Sequence, residues 1–322
     1  MPVTWGILST ANINRLFLEG ARQADGVEVV AVASRDGSRA EQYAREQGIP
    51  RAHDSYEALL ADPEVEAVYI PLPNSLHVDW SVRALEAGKH VLCEKPLSRH
   101  VSEVERAFDV AQRQGRLLME AFMYRHNPQT RRVVELVQEG AVGRLRLIRG
   151  TFSFNARDPG NVRLSPELDG GALMDVGCYC VSGARLLAGE PESVTAAQEL
   201  GGGGVDVVFT GTMTFSADVV AHFDCGLALL ARDELEVVGE DGSLFLDDPW
   251  HCRRPVIELR RAEGTERIEL PAANSYRLEA ENFSAAIRGE AEPLLGRADA
   301  VGQARAIEAL YAAAGGYGGG SS

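Results

Sequence analysis

The chain has 322 residues, 45% of them hydrophobic and 25% charged, with a formal net charge of −15. That length suits two domains with separate cores. The acidic balance excludes nucleic acid and anionic membrane surfaces as bulk partners, since both require a basic face.

The first residues, Met1-Pro2-Val3-Thr4-Trp5-Gly6, lead into a strand with no signal-peptide pattern. Strand and helix signals then alternate. Val3–Leu8 is an apolar run, and Ile13, Leu16, Phe17, Gly20 and Ala21 recur at helical spacing. Val27–Ala33 is β-branched, and a polar helix spans about Gly37–Gln47. Val65–Ile70 predicts a strand and Leu76–Ala87 a helix ended by Gly88. Val91–Cys93, a helix over Val101–Gln114 and a strand over Leu117–Ala121 complete the series. Such alternation predicts an α/β Rossmann domain, a doubly wound parallel sheet, over residues 1–122.

After Phe122 the pattern changes. A helix over roughly Asn127–Glu139 leads to a long strand, Arg144–Phe154, and a loop rich in Pro, Gly and Asp. Gly170–Ala188 predicts a helix. Strands follow at Ser193–Leu200, Val205–Phe215, Asp218–Gly226, Glu234–Gly239, Ser243–Leu246, Val256–Arg261 and Glu266–Leu270. Helices near Tyr276–Arg288 and Arg297–Ala314 close the chain, and residues 315–322 predict a flexible tail. Residues 123–322 are therefore expected to form an α+β domain with a large open-faced, mostly antiparallel sheet. In Val205–Phe215, Val207, Phe209, Met213 and Phe215 share one face, while Thr210, Thr212 and Thr214 share the other. The open face points to a homodimer or homotetramer.

No apolar run approaches the ~18 residues of a membrane span. The five cysteines (93, 178, 180, 225, 252) form neither a Cys-x-x-Cys pair nor a secreted disulfide framework. Cys178 and Cys180 lack a His-rich partner segment, so buried thiols, no metal site and a cytoplasmic protein are expected.

Only Lys89 and Lys95 among the 32 basic residues are lysines; the rest are arginines. Arginine is a fixed cation, whereas lysine can take part in proton chemistry. Lys89 follows a helix and its Gly, where a basic side chain is ordinary capping. Lys95 stands just after an apolar strand in Glu94-Lys95-Pro96, where parallel strands end and active sites collect.

The first strand–helix turn, Gly6-Ile7-Leu8-Ser9-Thr10-Ala11-Asn12-Ile13-Asn14, holds Ser9, Ala11 and Asn14 where a dinucleotide fingerprint has Gly, Gly and Gly or Ala. Small side chains and hydrogen-bonding Ser9, Thr10 and Asn12 at a helix N-terminus still suit a pyrophosphate. Ser9, Thr10, Ala11, Asn12 and Ile13 are therefore candidate cofactor residues; an ordinary capped turn is the alternative. The second strand ends in Ala33-Ser34-Arg35-Asp36-Gly37-Ser38-Arg39. Ser34 with guanidinium forks at Arg35 and Arg39 suits a 2′-phosphate, so NADP(H) is expected over NAD(H). Solvated surface arginines, with Asp36 turned inward for NAD, are the alternative.

Four segments together carry a resemblance to a known family: Gly88–Pro96; Tyr69-Ile70-Pro71-Leu72-Pro73-Asn74-Ser75-Leu76-His77; Glu120-Ala121-Phe122-Met123-Tyr124-Arg125; and Gly170-Gly171-Ala172-Leu173-Met174-Asp175-Val176-Gly177-Cys178-Tyr179. The chain resembles the Gfo/Idh/MocA oxidoreductases over nearly its whole length. Within them it is nearest the dimeric trans-dihydrodiol dehydrogenases and NADP-dependent D-xylose 1-dehydrogenases. The resemblance implies a site between two domains, with Lys95 beside the nicotinamide and the reacting hydroxyl. It also implies a cis Lys95–Pro96 peptide and Glu94 near the nicotinamide ribose. Pro71, Leu72, Asn74, His77 and Arg163 join the candidate cofactor residues, although a satisfied, site-orienting histidine is the plainer reading of His77.

The chain departs from the commoner family pattern at Tyr179 and Ser182, where a His and an Asp usually stand. By itself Tyr179 reads as a core tyrosine; the family register makes it the proton donor or acceptor, its phenol favoured toward phenolate by Lys95. Lys95 and Tyr179 are thus the candidate catalytic pair. Lys95, Arg125, Phe154, Asn161, Arg163, Asp175 and Tyr179 are candidate substrate residues, with Arg125 and Arg163 open to a structural role. The implied reaction is hydride transfer between nicotinamide and a carbinol carbon of a sugar, cyclitol or trans-diol. A non-catalytic nucleotide-sensing or regulatory protein is the alternative; a glycosidase with recycled NAD is disfavoured by Arg35 and Arg39.

Overall fold

The computed structural model describes residues 1–158 and 160–315, so the tail expected at 315–322 lies outside the described residues except for Gly315. Two compact units form: Met1–Met123 with Asn274–Val301, and Tyr124–Ala273 with Gly302 onward.

The first unit starts with β1 (Val3–Leu8), α1 (Asn14–Ala21), β2 (Val27–Ala33), α2 (Gly37–Gln47), β3 (Arg51–His53) and α3 (Tyr56–Leu60). It continues through β4 (Ala67–Ile70), α4 (His77–Glu86), β5 (His90–Glu94), α5 (Val101–Gln114) and β6 (Leu118–Ala121). The strands pair in parallel in the order β3-β2-β1-β4-β5-β6, the doubly wound arrangement with its reversal of strand order beside β1. The near-continuous burial of β1, β4 and β6 fits strands covered on both faces. The sequence reading lacks β3 and α3, which at three and five residues are too short to show a period.

The second unit carries α6 (Pro128–Gln138), β7 (Leu145–Asn155) and α7 (Cys178–Ala188). Then come β8 (Ser193–Leu200), β9 (Asp206–Phe215), β10 (Val219–Gly226), β11 (Ala228–Gly239), β12 (Ser243–Asp247), β13 (Val256–Arg261) and β14 (Gly264–Glu269). The chain ends in α8 (Ser275–Ile287) and α9 (Arg297–Ala313). The sheet order is β14-β13-β12-β11-β7-β10-β9-β8, antiparallel throughout except where β10 lies parallel to β7. One face packs against α7 and α9: Cys180 lies against Gly150, and the Tyr311 ring meets Phe209 edge-on at 5.6 Å. The other face carries a charged ladder, Arg149–Glu236 at 3.4 Å, Arg260–Glu258 at 2.8 Å and Arg267–Glu258 at 3.6 Å.

Beyond the short elements and the earlier start of β11 at Ala228 against the expected Glu234, two larger features differ from the sequence reading. The helix expected over 170–188 is split: a wide π-helical turn at Leu173–Gly177 precedes α7. Residues 274–301, assigned from chain order to the second domain, pack with the first unit. There α8 brings Phe283 onto Trp5, and Gly20 of α1 lets the helices meet, since a Cβ on it would lie 2.6 Å from the Arg277 backbone nitrogen.

Candidate active site

In the first unit, the β1–α1 turn does with Ser9 what a glycine usually does. Ser9 adopts φ 133°, a region L-residues rarely enter. Asn14 Nδ2 donates to the Ser9 carbonyl at 2.8 Å, and the Ala11 N–H donates to Ser9 Oγ at 3.2 Å. Ser9 Oγ in turn donates to the Pro71 carbonyl at 3.4 Å, joining two of the predicted cofactor segments. Asn14, fully buried, holds the turn open from within. Thr10, Ala11, Asn12 and Ile13 lie around the start of α1, which has no side-chain cap of its own. At the end of β2, Ser34 is buried and Arg35 and Arg39 are exposed. Asp36 caps α2: it accepts from Ser38 Oγ at 2.6 Å and from the Arg39 N–H at 3.2 Å. Its carboxyl is held below the usual carboxylate range by those bonds, that from Ser38 foremost.

The Glu94-Lys95-Pro96 turn is clamped from three sides. The Tyr69 hydroxyl donates to Glu94 Oε1 at 2.5 Å, the Leu97 N–H donates to Glu120 at 2.7 Å, and His77 Nδ1 meets the Pro96 carbonyl at 2.8 Å. His77 Nε2 lies 2.8 Å from the Leu72 carbonyl, so both ring nitrogens brace backbone. His77, expected from sequence as a cofactor residue, thus ties the Leu72 and Pro96 segments together. Pro71 and Leu72 are buried, and Asn74 opens a short 3₁₀ turn into α4. The Lys95–Pro96 peptide is cis, as the resemblance implies. Lys95 is half-buried. Lys89 differs: its ammonium donates to the carbonyls of Asp62 and Val65, both at 2.7 Å, and burial lowers its pKa.

In the second unit, Tyr179 opens α7 inside an aromatic cluster. Its ring centroid lies 5.4 Å from Phe152, 5.8 Å from Tyr124 and 6.2 Å from Trp250. The segment leading into α7 is anchored by fully buried Asp206, which accepts from the Leu173 N–H at 2.7 Å and the Tyr311 hydroxyl at 2.9 Å; Gln303 donates to the Cys178 carbonyl at 2.8 Å. Ser182 takes bonds from the Tyr124 hydroxyl at 2.8 Å and Arg125 Nη1 at 3.4 Å. Three predicted substrate residues meet: Arg163 Nε donates to Asp175 at 2.7 Å, and its guanidinium lies 5.8 Å over the Phe154 ring. Asn161 caps the local turn by accepting from the Arg163 N–H at 3.1 Å.

The family model described as an oxidoreductase family with an NAD-binding Rossmann fold matches residues 3–122, and the Gfo/Idh/MocA C-terminal domain model matches residues 130–245. The chain belongs to the Gfo/Idh/MocA oxidoreductase family. It is 39% identical to D-xylose 1-dehydrogenase (NADP(+)) 2 of Haloferax volcanii, over 96% of this chain and 97% of the relative. It is 34% identical to trans-1,2-dihydrobenzene-1,2-diol dehydrogenase of Danio rerio, over 78% and 76% of the two chains. A 3-ketoreductase from Actinomadura kijaniata, KijD10, solved with NADP and TDP-benzene, superposes with a TM-score of 0.91 at 32% identity, covering 97% of this chain and 98% of that one.

Within this family member, several side chains around Tyr179 escape sequence reasoning: Phe152, Trp250 and, beside them, His251 with Asp233 and Asp248. Trp250 is fully buried and donates Nε1–H to the Thr151 carbonyl at 3.0 Å. Its indole fills the place where Gly183 of α7 has no side chain; a Cβ there would lie 2.8 Å from the ring. The available signal was the connection Asp247-Asp248-Pro249-Trp250-His251-Cys252-Arg253-Arg254-Pro255, unusually dense in charged and aromatic groups for a strand-to-strand link. The five cysteines are free and buried. No helix among the described residues is long and apolar enough to cross a membrane.

Proposed function

We propose that the chain catalyses reversible, NADP(H)-dependent hydride transfer at a carbinol carbon of a sugar, cyclitol or trans-diol. The carrying observation is the end of β2. Asp36, the residue that would serve the ribose of NAD, is committed to capping α2. Arg35 and Arg39 stand beside it, and among the described residues neither closes an ion pair. Burial raises the Tyr56 pKa, and the nearby charges of both arginines oppose that rise, so the two guanidinium groups share one neighbourhood. A 2′-phosphate suits that neighbourhood. The Ser9 turn and the uncapped start of α1 suit the pyrophosphate. NADP in the complexed ketoreductase and in the name of the xylose dehydrogenase supports the same choice.

When bound, NADP accepts or supplies the hydride. In the oxidative direction Tyr179 takes the hydroxyl proton as the carbon loses hydride and its C–O bond becomes a carbonyl. Lys95 hydrogen-bonds the same oxygen and stabilises the negative charge that develops there. Arg163, Asp175 and Phe154 act together as a substrate wall, with the guanidinium fixed by the carboxylate. The open sheet face belongs to the same proposal as a homo-oligomer contact, checked by light scattering.

The test is a panel of aldoses, inositols and trans-diols assayed for NADP+ reduction, with coenzyme titration. NADPH should bind more tightly than NADH, and Arg35→Ala with Arg39→Ala should weaken NADPH by roughly 10–100-fold while leaving NADH little changed. Equal coenzyme affinities in the wild type defeat the NADP assignment. No turnover anywhere on the panel favours a non-catalytic nucleotide-binding role.

A further inference from the structure

The connection between β12 and β13 places His251 next to Trp250, and the hydride transfer proposed above leaves it without a role. Asp233 of β11 pairs in register with Phe152 of β7, so both side chains leave the same face of the sheet. On that face Asp233 takes two bonds from the connection: the Trp250 N–H at 3.2 Å and His251 Nδ1 at 2.6 Å. Asp248 Oδ1 lies 3.4 Å from the same imidazole nitrogen. Ligand atoms of these three residues fall within 4.8 Å of one another. The positive charge is already supplied from within, however, because the Arg253 guanidinium closes on Asp248 at 2.8 Å. Burial and the Arg253 charge disfavour a charged His251, yet the bonds to Asp233 and Asp248 and the charge of Asp233 outweigh them and raise its pKa above the ordinary value.

The ring is thus fixed through Nδ1. It stands edge-on to Phe152 with centroids 5.3 Å apart, and Phe152 stands edge-on to Tyr179 at 5.4 Å. Its Nε2 enters no hydrogen bond among the described residues, and the side chain is 35% exposed. A histidine oriented by a carboxylate at one nitrogen and open at the other is built to meet a ligand.

We propose that His251 is a specificity residue whose Nε2 hydrogen-bonds a hydroxyl of a polyhydroxylated substrate held beside Tyr179, so that the site favours sugars over apolar ring diols. This rests on the oxidoreductase reading above and narrows its substrate class. Charged, the imidazole donates through Nε2; neutral with its proton on Nδ1, it accepts there. A sugar hydroxyl satisfies either form. The carbocyclic edge of a dihydrobenzene diol satisfies neither and leaves a desolvated imidazole unpaired. Phe152 gives the C–H face of a pyranose an aromatic wall next to that polar contact.

The test is steady-state kinetics of the full chain with NADP+, using D-xylose and trans-1,2-dihydrobenzene-1,2-diol as paired substrates. His251→Phe should raise KM for the sugar by roughly 10-fold, with kcat changed by less than about threefold, and should lower or leave unchanged the KM for the diol. His251→Gln should recover part of the sugar KM. Asp233→Asn, which keeps the ring but loosens its anchor, should give an intermediate sugar KM, and circular dichroism checks that each variant folds. A KM change equal for both substrates, or no change, overturns the role of His251 alone. A wild type that oxidises neither of these nor any other member of the aldose, inositol and trans-diol panel overturns the oxidoreductase reading, and this inference with it.

Discussion

The two units gather their polar residues by different physical means. In the first, the predicted cofactor residues stand at the carboxyl ends of parallel strands: Ser9 after β1, Ser34 and Arg35 after β2, Pro71 after β4, Glu94 and Lys95 at β5. A parallel sheet delivers consecutive strand ends to one edge, so chain order alone collects them. In the second, the neighbours of Tyr179 come from the turn before α6 (Tyr124), from β7 and from the β12–β13 connection, brought together by cross-strand register and by packing onto one face. The first arrangement depends on topology and main-chain devices. The second depends on which side chains interlock.

Substitutions at the two lysines and at Tyr179 test that contrast most strongly. Lys95→Met is expected to cut kcat by roughly 10²–10⁴-fold, with NADPH affinity, read by fluorescence titration, nearly unchanged. Lys89→Met should leave kcat intact and instead destabilise the first unit by about 1–3 kcal/mol, because the buried Val65 carbonyl loses the ammonium that donates to it and the Asp62 carbonyl keeps only the Val65 N–H; denaturant midpoints measure it. If the two variants behave alike, the division between chemical and structural lysine fails. Tyr179→Phe keeps the ring contacts with Phe152 and Trp250 and removes only the hydroxyl. A loss of kcat on the order of 10²-fold with an unchanged melting temperature is expected, and retention of activity would remove Tyr179 from the proton path.

Legibility followed the same division. Val3–Leu8 and the second half of Val27–Ala33 show as apolar runs because these residues are covered on both faces, and Ser193–Leu200 and Val256–Arg261 stand out between clear turns. The arginines after β2 and the turn at Lys95 could be placed because a parallel sheet has one functional edge. The return of α8 to the first unit could not: Phe283 reads as an ordinary helical apolar position, and nothing local says that Trp5 lies opposite it. Nor could the contact of His251 with Asp233, which needs the register of β11 on β7. The wide turn before α7 was hidden because Leu173–Gly177 keeps a helical apolar pattern while its hydrogen bonding changes. The start of β11 was missed because its pairing with β7 is irregular between Ala228 and Arg232.

A packing test of the second unit comes next in size. Trp250 is fully buried, stands edge-on to Tyr124 at 5.4 Å and lies against Gly183. Trp250→Ala should cost about 3–5 kcal/mol, seen as a lower melting temperature. Gly183→Ala should overpack the same contact and cost about 1–3 kcal/mol. If Trp250→Ala is stable yet loses activity toward every substrate, the indole serves the ligand more than the core, and the contrast between the units weakens.

The smallest effect concerns the segment that returns to the first unit. Glu66 is bound by Arg288 of the α8 C-terminus at 2.9 Å, and that hydrogen bond, assisted by the Thr4 N–H, depresses its pKa from 4.5 to about 2. A depressed carboxylate pKa gives stability that is present above 4.5 and disappears as pH falls toward about 2. The carboxylate is 40% exposed, so solvent screening limits the contribution to less than about 1 kcal/mol. Glu66→Gln should therefore lower the urea midpoint slightly at pH 7, and the gap from wild type should close as the pH is taken down through the carboxylate range. A gap that stays constant with pH would mean that the amide has disturbed packing around Thr4, and that the charge on Glu66 does little to hold α8 in place.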